Sequence, residues 1–406
     1  MGAEVCDGSG LRVLALEPGR WDSFCATLTW HTGAPAKPCA AWAPLREVVD
    51  YDRSMLVYDG EEVVGTLAAF PLRVTTPGGA PVTATGLTMA TVRPTHRRRG
   101  LLKTMLRRQA DEAYAQGDPL VLHTVTDPGV YRTIGTGCAT RQMSVVIDTA
   151  RPGLCVPTSA DAVVLRLVDP ESALERCEAV YARKVPGRPG MLSRRPEWGR
   201  LLIGAPGAGA PVLYCVTSEL EGEFTGYARY TVDADVVEVL DVEALDSASY
   251  AALWRFLAEL HLTSRVSACN RPLDDPLLHL APDTRQCKAT VSDSLYVRLI
   301  DVGKALQART YTHPLDVVLD VGDAFCPWNA GRWRLSGDAK GASCARTSDA
   351  AELSLSSAEL ASAYLGGVGL RALAGAGRVR ELRRGALAEA SAAFRGDLAP
   401  WLPFGF

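Results

Sequence analysis

Long apolar runs are missing. No stretch of about 18 consecutive apolar residues occurs in the 406-residue chain, so no membrane-spanning helix is expected. The opening MGAEVCDGSG lacks the basic and apolar regions of a secretory signal, which points to a cytoplasmic protein. Excess charge is missing too: 43 basic against 46 acidic side chains leave a net charge of −3, which argues against nucleic-acid binding. The six histidines are dispersed with no H-E-x-x-H, and the eleven cysteines occur singly with no C-x-x-C. Neither a metal site nor a disulfide framework is expected from such a pattern. Absence of G-x-S-x-G and of G-x-x-x-x-G-K-[ST] removes the hydrolase elbow and the phosphate loop of nucleotide hydrolases.

What is there is enough to build cores. Apolar residues make up 47% of the chain and charged ones 22%, which excludes extensive disorder. The length exceeds what one core usually supports, so two or three domains are expected. Residues 54–70 read as a hairpin around Asp59-Gly60, and Pro77-Gly78-Gly79 makes the next turn. A strand follows over 84–92. Leu101, Leu102, Met105, Leu106, Ala110 and Ala113 then recur at helical spacing until Gly117-Asp118-Pro119, and 120–125 reads as a buried strand. After a linker near residue 150, strands are expected at 213–216, 225–232 and 236–240, with an amphipathic helix over 247–262. A strand near 295–300 is read as opening a third region, with strands at 315–321, 333–335 and 351–355. Helices are expected there at 357–365 and 381–395. The glycine-rich 204–210 is read as a loop.

One stretch is electrostatically odd. Arg97, Arg98, Arg99 and Lys103 surround the start of the helix at Leu101, where the positive end of the helix dipole disfavours cations. The free N–H groups of a helix start, with extra arginines and a Gly100 that allows close backbone approach, suit a multiply charged anion such as the pyrophosphate of an acyl-coenzyme A. A solvated basic face is the alternative. Two other features stand open on the residues alone. Tyr131 lies in a glycine-rich segment, where packing at a turn is an ordinary role. The sequence APWLPFGF (399–406) is apolar to its last residue, unlike most termini, so Phe406 reads either as an anchored tail or as a buried carboxylate.

RRRGLL (97–102) resembles motif A of the GNAT superfamily of N-acetyltransferases, with Leu102 in place of the final small residue. The wider VRPTHRRRGLL (92–102) and TDPGVYRTIGTG (126–137) are similar to segments of one branch, the enhanced-intracellular-survival (Eis) acetyltransferases. ALWR (252–255), RPLDDPL (271–277), 293–299, CPWN (326–329), YLGG (364–367) and the terminal F-x-F follow in that family's order, so the resemblance covers the whole chain. It implies an α+β architecture of tandem GNAT acetyltransferase folds followed by a sterol-carrier-protein-like domain: catalytic domain 1–150, degenerate GNAT-like domain 151–297, C-terminal domain 298–406. It also implies a homohexamer of two trimers.

Acetyl-CoA is the co-substrate that the resemblance implies. Ala90, Thr91 and Val92 would face its pantetheine, Arg98, Arg99, Gly100, Leu101, Leu102 and Lys103 its pyrophosphate, and Thr126 and Asp127 its thioester end. Tyr131 matches the general acid, and a phenol of pKa about 10 stays protonated at neutral pH while able to protonate a thiolate. The Phe406 carboxylate matches the general base. Transfer is expected to be direct, within a ternary complex, because no cysteine is paired with a base in the motif region. The acceptor is expected to be a small-molecule amine. Trp30 and Trp42 fall in the regions that line its pocket, and Gly405 stands where aminoglycoside-modifying members carry an acid. Fewer carboxylates weaken the pull on a polycation, so an acceptor less charged than kanamycin is expected. The alternative function is a non-catalytic CoA- or lipid-binding scaffold, which would need neither the tyrosine nor the terminal carboxylate.

Overall fold

The computed structural model describes residues 5–6, 10–32, 39–149, 153–204 and 211–406, without the side chains of residues 5–6, 29–32 and 39–42. The glycine-rich 205–210 lies outside the described residues, as do the side chains of Trp30 and Trp42. The chain divides into two compact units. The first holds residues 1–139, 295–396 and 406, the second 140–294 and 397–405. Among the described residues no helix is long and apolar enough to cross a membrane.

In the first unit, β1 (Val5–Cys6), β2 (Leu11–Ala15), β3 (Met55–Asp59), β4 (Glu62–Thr75), β5 (Pro81–Val92), β6 (Leu120–Thr124) and β7 (Gly137–Cys138) form one sheet. The expected hairpin is β3–β4, closed at Gly60 with φ of 58°. Between β4 and β5 the turn uses Gly78 and Gly79, both left-handed, a conformation open to glycine at no steric cost. Helix α1 (Trp21–Thr32) precedes β3, α2 (Leu101–Gln116) joins β5 to a parallel β6, and α3 (Pro128–Arg132) follows β6. The apolar stripe expected on α2 is buried: Leu101, Met105, Leu106, Ala110 and Ala113 pack with Val13, Val57, Val64 and Leu67 of the sheet.

The second unit is a seven-stranded sheet of β8 (Arg141–Asp148), β9 (Val164–Val168), β10 (Tyr214–Leu220), β11 (Glu223–Asp233), β12 (Val236–Ala244), β13 (Arg265–Arg271) and β14 (Cys287–Asp293). Helices α4 (Leu174–Lys184), α5 (Pro196–Ile203) and α6 (Ser247–Ala258) belong to it. Leu253, Trp254 and Leu257 of α6 are fully buried, as the spacing predicts. The helix ends at Ala258, short of the expected 262.

The strand β15 (Leu295–Leu299) does not open the third region. It lies in the first sheet between β6 and β7, antiparallel to both. Residues from 302 onward then build a separate sheet in the first unit from β16 (Leu315–Gly322), β17 (Gly331–Asp338), β18 (Gly341–Arg346), β19 (Leu353–Ser356) and β20 (Val379–Glu381). The expected helix at 357–365 is Ser357–Ala363, opened by a Ser356–Glu359 capping box. That expected at 381–395 shortens to Ala386–Phe394, because Glu381 ends β20 and Gly385 takes a left-handed φ of 95° ahead of the helix.

Candidate active site

The site begins where two parallel strands part. β5 and β6 pair from Ala84↔Leu120 to Leu87↔His123, after which β5 continues to Val92 without its neighbour. A bulge helps to turn it: the register with β4 shifts between Thr66 and Ala68, Met89 takes φ of 51°, and the Thr66 hydroxyl donates to the Met89 carbonyl at 2.8 Å. Such a splay at the carboxyl ends of parallel strands is where open α/β sheets bind ligands. A cavity of about 480 Å³ opens there, and it brings together Ala90, Thr91, Val92, Arg98, Gly100, Leu101, Leu102, Lys103, Thr126, Asp127 and Tyr131. His96, Arg97 and Val130 line it as well; Arg99 is exposed beside it.

The arginine loop is built to leave the helix start open. His96 is buried, its ring between the Thr95 hydroxyl at 2.8 Å and the Asp59 carboxylate at 3.1 Å, which pins the turn after β5. Arg97 donates to the Val92 carbonyl, and Arg99 to the Thr95 carbonyl, both at 3.4 Å. Arg98 and Gly100 are left-handed, with φ of 62° and 82°. Gly100 is the N-cap of α2 and offers no side-chain acceptor, while no acid stands in the first turn. A Cβ at Gly100 would meet nothing within 4 Å, so the glycine answers to backbone conformation and to an approach from outside.

Across the cavity, Asp127 caps α3 by accepting from the Gly129 amide at 3.0 Å, a structural duty alongside its place in the lining. The Tyr131 ring packs on His123 with centroids 4.9 Å apart and planes at 59°. Burial raises the Tyr131 phenol above its ordinary pKa. It also pushes His123 down to about 3, helped by the Arg298 guanidinium, so that imidazole is neutral. Next along β6, the Thr124 hydroxyl donates to the Phe406 terminal oxygen at 2.7 Å. The Phe406 ring stands edge-on to Phe70 at 6.3 Å and lies over Gly86. A Cβ at Gly86 would come within 3.1 Å of that ring and 2.3 Å of Leu72, so the glycine leaves room for the last residue against β5. Gly405 is exposed.

Sequence reasoning passed over Thr124 and Gly86, and it reads His123, a lone histidine without a partner motif, as structural. No sequence signal marks Thr124, since the splay at the end of its strand exists only in the folded sheet. Gly86 inside a β-rich run marks a close approach, though the run does not say of what.

Three family models match: an acetyltransferase (GNAT) domain over residues 17–139, a second acetyltransferase (GNAT) domain over 190–299, and a sterol carrier protein domain over 302–403. A protein of Streptomyces avermitilis described as an uncharacterized N-acetyltransferase is 50% identical over 97% of this chain and 99% of its own. The N-acetyltransferase Eis of Mycobacterium bovis is 33% identical over 96% of this chain and 97% of its own. The crystal structure of Eis1 from Mycobacterium abscessus is similar at TM-score 0.83 and 29% identity, covering 98% of this chain and all of that one. A GCN5-related N-acetyltransferase from Anabaena variabilis shares the fold at TM-score 0.85, with 20% identity over 98% of this chain and 100% of that one. With tandem GNAT folds, a sterol-carrier-like domain and relatives matching end to end, the chain belongs to the Eis-like branch of the GNAT acetyltransferases, and it is an acyltransferase.

Proposed function

We propose that this enzyme moves an acetyl group from acetyl-CoA to a primary amine of a small molecule, an antibiotic or secondary metabolite, by direct transfer in a ternary complex. The observation that carries the reading is a convergence on the end of β6. Thr124 holds the Phe406 terminal oxygen, and the adjacent His123 packs on Tyr131, which lines the cavity below the arginine loop.

The residues present fit acetyl-CoA. The uncapped start of α2, the left-handed Arg98 and Gly100 and the nearby Arg99 and Lys103 make an anion cradle with room for backbone approach. In this assignment Arg98 to Lys103 hold the pyrophosphate, the backbone of Ala90, Thr91 and Val92 takes the pantetheine, and Thr126 and Asp127 flank the thioester. Bound there, acetyl-CoA supplies an activated acyl group whose sulfur departs as thiolate.

Tyr131 is the general acid. Burial raises its pKa, so the phenol keeps its proton across the working pH range and can give it to sulfur. The Phe406 carboxylate is the general base, receiving a proton from the amine nitrogen as that nitrogen becomes cationic on attack. The Thr124 hydroxyl bond holds one terminal oxygen and leaves the other to take the proton. Domain roles follow the same division: 1–150 is the catalytic GNAT domain with the cofactor site and the general acid, 151–297 is a degenerate copy, and 298–406 is sterol-carrier-like and ends in the carboxylate that serves as base. Gly405 and the region of Trp30 and Trp42 supply no carboxylate, so the acceptor is less charged than kanamycin.

The test is an amine panel read by thiol release, run on the full chain, on Tyr131→Phe and on a chain ending at Gly405. Each variant is expected to lose about 10²–10⁴-fold in kcat with unchanged affinity for acetyl-CoA. Monoamines and aromatic amines should outrun tobramycin and kanamycin. Full turnover by either variant removes that residue from the mechanism, and faster turnover of the polycations removes the substrate class.

A further inference from the structure

The cations around the arginine loop divide into two sets. Arg93 and His96 meet the β3–β4 hairpin, whose tip Asp59-Gly60-Glu61-Glu62 carries three carboxylates. Glu62 forms an ion pair with Arg93, and the Asp59 carboxylate bonds the His96 ring at 3.1 Å. Arg98, Arg99 and Lys103 are exposed and, among the described residues, pair with no carboxylate. The acids of the tip thus take the cations that shape the turn and leave those that would meet an anion.

His96 has no ring nitrogen to spare for a ligand. Its Nδ1 is engaged by the Thr95 hydroxyl at 2.8 Å and its Nε2 by Asp59, although the buried ring borders the cavity. What it does is anchor the chain. Pro94–His96 wind into one 3-10 turn, closed by the His96 amide on the Arg93 carbonyl at 2.9 Å, and the Arg93 amide donates to the Val64 carbonyl of β4 at 2.8 Å. Leu101, buried at the start of α2, fixes the chain again. Only Arg97 to Gly100 lie between these anchors, and Arg98 is left-handed there, a conformation unfavourable to a residue with a side chain. Cations crowded at the positive end of the helix dipole add repulsion. Freed at one end, such a loop would relax and scatter its charges. Held at both, it is ordered before any ligand arrives, and ordering in advance is what raises affinity. The tip is braced in turn, since Arg12 on β2 donates to the Gly60 carbonyl at 2.7 Å.

We propose that Asp59 and His96 are positioning residues for cofactor capture: the hairpin tip holds the arginine loop in the shape that grips the donor's diphosphate. This role rests on the reading that the loop binds the acetyl-CoA pyrophosphate. Its effect belongs to the KM for the donor and not to kcat, and only to donors that carry the diphosphate.

The test gives the full-length enzyme two donors, acetyl-CoA and S-acetylpantetheine, which keeps the thioester and the pantetheine arm but lacks the diphosphate. His96→Leu and Asp59→Ala are expected to raise the KM for acetyl-CoA about five- to twentyfold while kcat stays within about twofold. For S-acetylpantetheine, kcat/KM should stay within about twofold of the natural enzyme. The double variant should lose no more than the worse single one, because both changes remove the same bond. His96→Gln, whose side-chain N–H can reach Asp59, should recover most of the affinity. Arg98→Gln is the control on the cofactor reading. If it leaves the preference for acetyl-CoA over S-acetylpantetheine untouched, the loop does not hold the diphosphate, and the cofactor assignment fails together with this role. If Arg98→Gln erodes that preference while His96→Leu and Asp59→Ala keep the natural KM, the hairpin proposal alone is overturned. Equal losses on both donors would also overturn it, since the pair would then serve only the fold. Should His96→Leu fail to fold, Asp59→Ala decides the matter, because Asp59 is half-exposed and Gly60, which turns the hairpin, is untouched.

Discussion

At the scale of single residues, His123 shows how burial sets chemistry. Its ring is fully enclosed on β6, faces Tyr131, and has its Nε2 without a hydrogen-bond partner among the described residues. Burial strips a proton there of its hydration, and Arg298 repels it, so the pKa falls to about 3. In the unfolded chain the same group titrates near 6.5. Above that pH neither state binds the proton and stability is unaffected. Between 6.5 and about 3 only the unfolded chain binds it, and the folded state loses about 1.4 kcal/mol per pH unit. Urea midpoints at pH 7, 6 and 5 should therefore fall more steeply for the natural protein than for His123→Gln. Equal slopes would mean that the ring is solvated or charged in the fold. Tyr131 beside it moves in the opposite direction for the same reason, and an alkaline loss of activity is expected only above pH 10.

At the scale of elements, β15 is held by an internal ion pair. Arg298 donates to Asp323 at 2.6 Å with both side chains almost wholly buried, and a second N–H reaches the Gly135 carbonyl at 3.2 Å, just beyond the Tyr131 turn. Asp323 also accepts from the amides of Phe325 and Cys326 and from Asn329, whose own amide group bridges Leu299 and Val302. Arg298→Met leaves that carboxylate without its counter-charge and should cost about 3–5 kcal/mol, read as a drop in the urea midpoint. A companion Asp323→Leu should restore much of it; a mild single mutant would show that water reaches the pair. This network explains the CPWN segment, whose place in the sequence was legible but whose task was not. The β3–β4 hairpin, α2 and α6 were legible because turn chemistry and periodicity are local. The pairing of Leu295–Leu299 with Leu120–Thr124 was not, since partners so far apart leave no mark in either segment. The anion cradle was readable as charge out of place at a helix start. Thr124 and Gly86 were not, because both answer to Phe406, which reaches them only in three dimensions.

At the scale of the whole molecule, chain order and unit order differ. Residues 140–294 interrupt the first unit, and the first sheet takes back the chain at β15, between β6 and β7. A fragment ending at residue 150 would keep the arginine loop and Tyr131 yet expose the backbone edges of β6 and β7, which are buried in the sheet by β15. Open edges of that kind invite association. Such a fragment is expected to sediment as aggregates, whereas the intact chain should not, and a monodisperse, acetyl-CoA-binding fragment would contradict this. Insertion also imposes an order in time. During synthesis β6 leaves the ribosome long before its partner exists, and at about 5–20 residues per second the wait for β15 is roughly 10–35 s. The nascent sheet spends that interval incomplete, while the intervening unit can fold beside it. Slower elongation through the interruption lengthens the exposure, so codon choice between positions 140 and 294 becomes a lever on soluble yield with no change to the finished polypeptide.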